Sequence, residues 1–421
     1  MKCRWLLLAW ALLNLTATKW IGTWAAAPQP PIPASLRTFR NQTVRLIVHT
    51  SAGGARVRIK ISNIFGDHPL LIGAAHIARR TTAADIDPAS DRTVTFHGQP
   101  SATVAARSMV VSDPVNLDLP ALSDLAISLF FPEPTAATTT HILAKQTNYV
   151  SPEAGDSTAS ANFPVANTIR SWPFLTGVDV EASARGATIV AFGSSLTDGD
   201  GSTTDRNKRF PDILAERLQN DGRAELGVLN EGVIGNRLLS DSPPETVHLF
   251  GAALGQAGLT RFQRDVLDQS GVKFVIVGLG INDIAFPGSF TPQNQMVTAG
   301  NLISGYRQLI KRAHREGIRV IGTTMPPIEN SFFKDPPLTF FTPEKEAVRQ
   351  KVNDWILNGK EFDAVIDFDA VVRDPSRPTR ILPAYDSGDH LHPNDAGYIA
   401  QANAIPLALF TPEIRARAGV R

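Results

Sequence analysis

The sequence predicts a doubly wound α/β unit, with a five-stranded parallel sheet and helices on both faces, preceded by a β-sandwich-like unit. Three observations carry this. From Ala187 onward, short apolar runs alternate with amphipathic stretches, whereas before Tyr149 polar and apolar residues alternate with period two. Polar clusters follow the apolar runs, where an open parallel sheet places its ligands. The expected division is a leader over 1–18, a β-rich unit over 19–184 and the α/β unit over 185–421.

The chain opens Met1-Lys2-Cys3-Arg4 and is apolar from Trp5 to Leu13, a basic start and short hydrophobic run that fit a secretory signal peptide. The run is too short to span a bilayer, so stable membrane insertion is not expected. A cut near residue 18 would follow Thr16, Ala17 and Thr18; Ala25-Ala26-Ala27 offers a second site, and a buried N-terminal helix is the bland alternative. The expected location is secreted or periplasmic. Cys3 is the only cysteine and would leave with the leader, so the mature chain would have neither a disulfide nor a thiol nucleophile.

Beyond the Pro-rich stretch at Pro28–Pro31, residues 56–61 place Val57, Ile59 and Ile61 on one face of a strand and Arg56, Arg58 and Lys60 on the other. Residues 93–96 and 125–129 are further strand candidates, separated by Gly, Pro and Asp as in antiparallel sandwiches. The Ser-, Ala-, Pro- and Asn-rich stretch 151–167 reads as a long connection. In the α/β unit the expected strands are 187–192, 228–230, 274–277, 320–323 and 364–368, nearly continuous in apolar character as parallel strands covered on both faces require. Phe210, Ile213, Leu214 and Leu218 mark one helix. Leu302, Ile303, Tyr306, Leu309, Ile310 and Ala313 mark another, closed by Gly317.

Composition narrows the function. With 41 basic and 40 acidic side chains, the formal charge of +1 gives no reason to expect nucleic acid or an anionic membrane surface as a partner. A small or neutral substrate is the expectation.

Four polar clusters carry the chemistry. Gly193-Ser194-Ser195-Leu196-Thr197-Asp198-Gly199 follows the first α/β strand, and its small residues allow a tight turn that exposes a hydroxyl; a Ser there is also an ordinary helix cap. Thr197 stands where a G-x-S-x-G elbow needs its second glycine, which disfavours an ordinary α/β-hydrolase. Asn230-Glu231-Gly232-Val233-Ile234-Gly235-Asn236 lets a backbone N–H approach a ligand closely, or makes a plain turn. Gly278-Leu279-Gly280-Ile281-Asn282-Asp283 offers an amide that can donate to an oxyanion or cap the next segment. Asp389-His390-Leu391-His392-Pro393-Asn394, before a helix expected from about Asp395, sets a carboxylate three residues ahead of an imidazole that it can orient. The alternative for Asp386, Asp389 and the two histidines is a metal site, although no second ligand cluster accompanies them; His390 reads as a surface or packing residue.

Together these clusters resemble the sequence blocks of the SGNH hydrolases, also called GDSL esterases and lipases, over about residues 185–410. The resemblance implies a flavodoxin-like hydrolase unit with Ser195 as nucleophile and Asp389 and His392 as its triad partners. It further implies Gly235 and Asn282 as oxyanion donors beside the Ser195 amide, with no metal or organic cofactor. Ser194 departs from the family's usual Asp; a Ser there can still hydrogen-bond the loop backbone. The N-terminal region, with Trp20-Ile21-Gly22-Thr23-Trp24-Ala25-Ala26, looks like the β-rich unit of a bacterial extracellular subgroup. That likeness implies an esterified carbohydrate as substrate, with purely structural support as the unit's alternative role. The expected activity is hydrolysis of carboxylic esters, short acyl groups on carbohydrate, through an acyl-enzyme. A lipase or acyltransferase on the same fold and a non-catalytic carbohydrate-binding protein are the alternatives.

Overall fold

The structure, a computed structural model, describes residues 18–243, 250–334 and 337–411. Cys3 and all of the expected leader but Thr18 lie outside these residues. Among the described residues no helix is long and apolar enough to cross a membrane.

Two large antiparallel sheets dominate the N-terminal half, with short two-stranded ladders beside them. One joins Thr18–Ala25, Leu175–Ser183, Gly54–Ser62 and Val115–Leu119, with Met109–Val111 also paired to Gly54–Ser62. The other runs Asn167–Ile169, Asn148–Val150, Gln42–His49, Asp124–Phe131, Ala74–Arg79 and Arg92–Thr93. Their facing sides share one core, in which Val57, Ile59 and Ile61 from one sheet meet Leu46, Val48, Ile127 and Leu129 from the other. The period-two pattern therefore identifies the inward face. The run expected as a strand over 93–96 forms ladder only at Arg92–Thr93; beyond it Val94 N–H donates to Ala75 and Phe96 bridges to Gln99, so the chain curls away.

In the C-terminal half we label β1 Ala187–Gly193, β2 Leu226–Gly232, β3 Val272–Gly278, β4 Arg319–Thr323 and β5 Ala364–Ile366. All pair in parallel, in the order β2-β1-β3-β4-β5, which is the flavodoxin-like winding. Alternation along β1 sends Ile189 and Ala191 to one core with helices Phe210–Asn220 and Asp395–Asn403, and Val190 and Phe192 to another with helices Ala299–Arg315 and Pro343–Asn358. Helices thus cover both faces. β5 is shorter than the expected 364–368: Asp367 Oδ1 accepts the Ala370 N–H at 3.0 Å and caps the helix Phe368–Val372, turning Phe368 toward Phe210, ring centres 5.4 Å apart.

On the basic face of the strand Gly54–Ser62, Arg56 stays partly in water but Arg58 and Lys60 turn inward. Arg58 and Lys60 converge on the buried Asp179 at 2.9 and 3.0 Å, and reach Ser270 Oγ and Gln269 Oε1 of the α/β half at 3.0 and 3.1 Å. Gly22 N–H lies 3.0 Å from both Ser270 O and Thr188 Oγ1, and Ala25 packs in the α/β core. The two halves are joined by apolar contact and by buried charge.

Candidate active site

The four polar clusters meet at the carboxyl ends of β1, β2 and β3. β1 ends at Gly193 and Ser195 opens a single helical turn, Ser195–Asp198. As its first residue Ser195 has no acceptor for its own N–H within that turn. The Ser195 side chain is nearly covered, and its Oγ lies 2.8 Å from His392 Nε2. His392 Nδ1 lies 2.5 Å from Asp389 Oδ2, while Asp389 Oδ1 accepts the N–H groups of Leu391 and His392 at 2.9 and 2.8 Å. A carboxylate on Nδ1 places the neutral ring's proton there and leaves Nε2 free to accept from a hydroxyl.

The electrostatics agree with that arrangement. Burial works against the Asp389 charge, but the His392 imidazole and two backbone N–H groups outweigh it and hold the carboxyl well below the usual range. Burial also disfavours a charged His392, and Asp389 together with Asp200 reverses this, so the imidazole sits above its ordinary value of 6.5.

Two further expected residues face the same end of the sheet. Gly235 lies in the turn after β2, held by Val233 N–H on Gly193 O and Asn236 N–H on Val233 O, both 3.1 Å. Its φ of +68° and the approach of Leu254, 2.7 Å from where a Cβ would lie, both require glycine. No hydrogen bond of the described residues uses the Gly235 N–H. Asn282, in the turn Ile281–Ala285, donates one amide proton from Nδ2 to Asn236 O at 3.0 Å, and among the described residues the other has no acceptor. Free N–H groups on a rigid scaffold can receive an oxygen on which charge develops.

Beneath these groups lies support that sequence reasoning missed. Arg261 is buried and donates to Gly193 O, Glu231 O and Asn236 Oδ1 at 2.8, 2.9 and 2.9 Å, binding the ends of β1 and β2 together; Asp265 pairs with it at 3.0 Å and the Phe192 ring lies 4.1 Å away. Asp283 accepts from Leu238 and Leu239 N–H at 2.7 and 2.9 Å, while burial pushes its carboxyl up to about 6. Asp283 follows Asn282 directly in sequence and could have been singled out there. Arg261 carries no local signal.

Ser194 corrects one expectation. Its hydroxyl is fully buried and has no hydrogen-bond partner among the described residues, so it does not bond the loop backbone. His390 pairs with Asp386 at 2.5 Å and lies 6.0 Å from the Phe332 ring, apart from Ser195. Each acid of the last cluster is committed to its own histidine, and among the described residues no three His, Cys, Asp or Glu side chains gather as a metal site would require.

A doubly wound sheet with a hydroxyl, imidazole and carboxylate aligned at its carboxyl end defines a hydrolase class. The chain belongs to the GDSL-like lipase/acylhydrolase family, whose model matches residues 189–405, over half of its 421 residues. It is accordingly a carboxylic ester hydrolase. Among solved structures it is similar to the aryl esterase of M. smegmatis, at 18% identity and a TM-score of 0.39, over 52% of this chain and 96% of that one. It is also similar to a carbohydrate acetylesterase family member from Sinorhizobium meliloti, at 18% identity and a TM-score of 0.40, over 53% of this chain and 97% of that one. No curated protein matches the chain.

Proposed function

We propose that the chain is a secreted or periplasmic serine esterase in which Ser195 attacks the ester carbonyl, His392 takes and returns the proton, and Asp389 orients the ring. The N–H groups of Ser195 and Gly235 and the Asn282 amide receive the oxyanion. An acyl-enzyme forms on Ser195 as the alcohol leaves, and water, deprotonated by His392, releases the acid. The observation that carries this reading is the continuous path from Ser195 Oγ to His392 Nε2 at 2.8 Å and from His392 Nδ1 to Asp389 Oδ2 at 2.5 Å. Export rests on the basic and apolar start of the sequence, Met1 to Leu13.

The substrate we propose is a short acyl ester, acetyl first, on carbohydrate. In its favour stand the basic and apolar start of the sequence, which points to export, and the β-rich unit over 19–184, whose resemblance to that of an extracellular subgroup implies an esterified carbohydrate. A larger apolar group is the second reading. It is favoured by Phe332, which is 40% exposed and whose N–H donates to Asp389 O at 3.3 Å beside the catalytic loop. Hydrolysis of p-nitrophenyl acetate, butyrate and octanoate, with Ser195→Ala beside the full chain, tests both levels. Turnover is expected to fall at least ~10⁴-fold in the variant. Acetate is expected to have the highest kcat/KM, whereas a maximum at octanoate selects the second reading. Undiminished turnover by Ser195→Ala removes the mechanism.

A further inference from the structure

The β-sandwich enters the catalytic end of the sheet through one side chain. His141 lies on the short strand Thr140–His141, paired with Trp172–Pro173, and its side chain is 3% exposed. Nδ1 faces the carbonyl oxygen of Ala27 at 2.9 Å, and Nε2 faces Asp198 Oδ1 at 3.0 Å. A carbonyl oxygen only accepts, and so does an ionised carboxylate. A neutral imidazole has one N–H and would leave its other nitrogen lone pair against an oxygen lone pair. Only the imidazolium satisfies both contacts.

Asp198 transmits that hold. It closes the helical turn that Ser195 opens, and its Oδ2 accepts the Ile234 N–H at 3.1 Å. Gly232, two residues before Ile234, lies so near this turn that a Cβ on it would come within 2.2 Å of Asp198 N. One carboxylate therefore ties together the β-sandwich, the nucleophile turn and the loop that carries Gly235.

We propose that His141 is a positioning residue for ester hydrolysis: its imidazolium clamps Asp198, which fixes Ile234 and so sets the Gly235 N–H against Ser195. This rests on the roles given above to Ser195 and Gly235. Burial alone would lower the His141 imidazole, but the Asp198 carboxylate outweighs it and keeps the ring above its ordinary value. The other ionisable groups at this junction are Arg209, at the N-terminus of helix Phe210–Asn220 and paired with Asp212 at 2.8 Å, and Tyr398 of helix Asp395–Asn403. Arg209 opposes the His141 charge and Asp198 sustains it. The β-sandwich is by this account part of the oxyanion site's geometry and not only its neighbour.

The test compares wild type, His141→Leu, His141→Gln and Ser195→Ala on p-nitrophenyl acetate, with rates divided by active sites titrated to completion with a fluorophosphonate. In His141→Leu, kcat per titrated site is expected to fall about tenfold to a hundredfold with KM little changed, because a displaced oxyanion donor acts on the transition state. His141→Gln keeps an N–H for Asp198 and is expected to recover most of that loss. Wild-type kcat should also decline on the alkaline side as His141 gives up its proton, a decline absent from His141→Gln, and this comparison stands even where His141→Leu fails to fold. Unchanged kcat per titrated site in His141→Leu reduces His141 to fold support and overturns the proposal, as does the same alkaline decline in wild type and His141→Gln. Activity surviving in Ser195→Ala would instead refute the reading of the site on which the proposal rests.

Discussion

His392 lies between the Ser195 hydroxyl and a carboxylate that favours its charged form, and in the proposed mechanism its pKa sets the working pH. The ring must be neutral to accept from Ser195, and Asp389 and Asp200 hold its pKa above 6.5. We expect kcat/KM to rise with pH along a limb whose midpoint lies above 6.5. Asp389→Asn, which loses the charge and favours the wrong tautomer, should shift that limb to lower pH and cost about 10⁴-fold in kcat. A pH–rate profile of both proteins checks this. The same shifts bear on stability with opposite signs. Asp389, held low, contributes above its unfolded value and loses the contribution as pH falls through its folded one; His392, held high, contributes below its unfolded value and loses it as pH rises through its folded one. In the proposed mechanism Asn282 acts on the transition state, so Asn282→Ala should lower kcat by about 10²–10³-fold with KM nearly unchanged, measurable by steady-state kinetics on p-nitrophenyl acetate.

At the scale of the element, the sheet presents these groups because its strands end together. β1, β2 and β3 finish in register at Gly193, Gly232 and Gly278. Arg261 locks the first two by donating to Gly193 O and Glu231 O. Arg261→Met would leave Gly193 O and Glu231 O without their buried donor, while Asp265 keeps Arg264 at 2.5 Å, and is expected to cost about 1–3 kcal/mol, seen as a lowered midpoint in denaturant. Much of this level was legible in the sequence. Continuous apolar runs located the five parallel strands, and the spacing of Leu302, Tyr306, Leu309 and Ala313 located the helix Ala299–Arg315. What escaped was decided by single side chains acting across the chain. Asp367 caps a helix and shortens β5. Arg261, which looks like any basic residue of an amphipathic turn, is consumed inside the fold by carbonyls on two other elements.

For the whole molecule, the period-two strand Gly54–Ser62 correctly marked Val57, Ile59 and Ile61 as core, but nothing local to it says what covers Arg58 and Lys60. They meet Asp179, 121 residues from Arg58 in sequence, and then Ser270 and Gln269. The contact between His141 and Asp198 is equally invisible to any local pattern. Because buried charge and the strand Thr18–Ala25 join the halves, unfolding should be a single cooperative transition. Asp179→Ala would leave Arg58 and Lys60 without their shared counter-charge and lower stability by about 3–5 kcal/mol, read by calorimetry. The central claim, that chemistry runs through one serine at the end of β1, is tested most directly by labelling the full chain with a fluorophosphonate and mapping the adduct by peptide mass spectrometry. The account predicts one adduct, on Ser195, absent from Ser195→Ala. An adduct on another residue, or ester hydrolysis that continues with Ser195 fully modified, would contradict it.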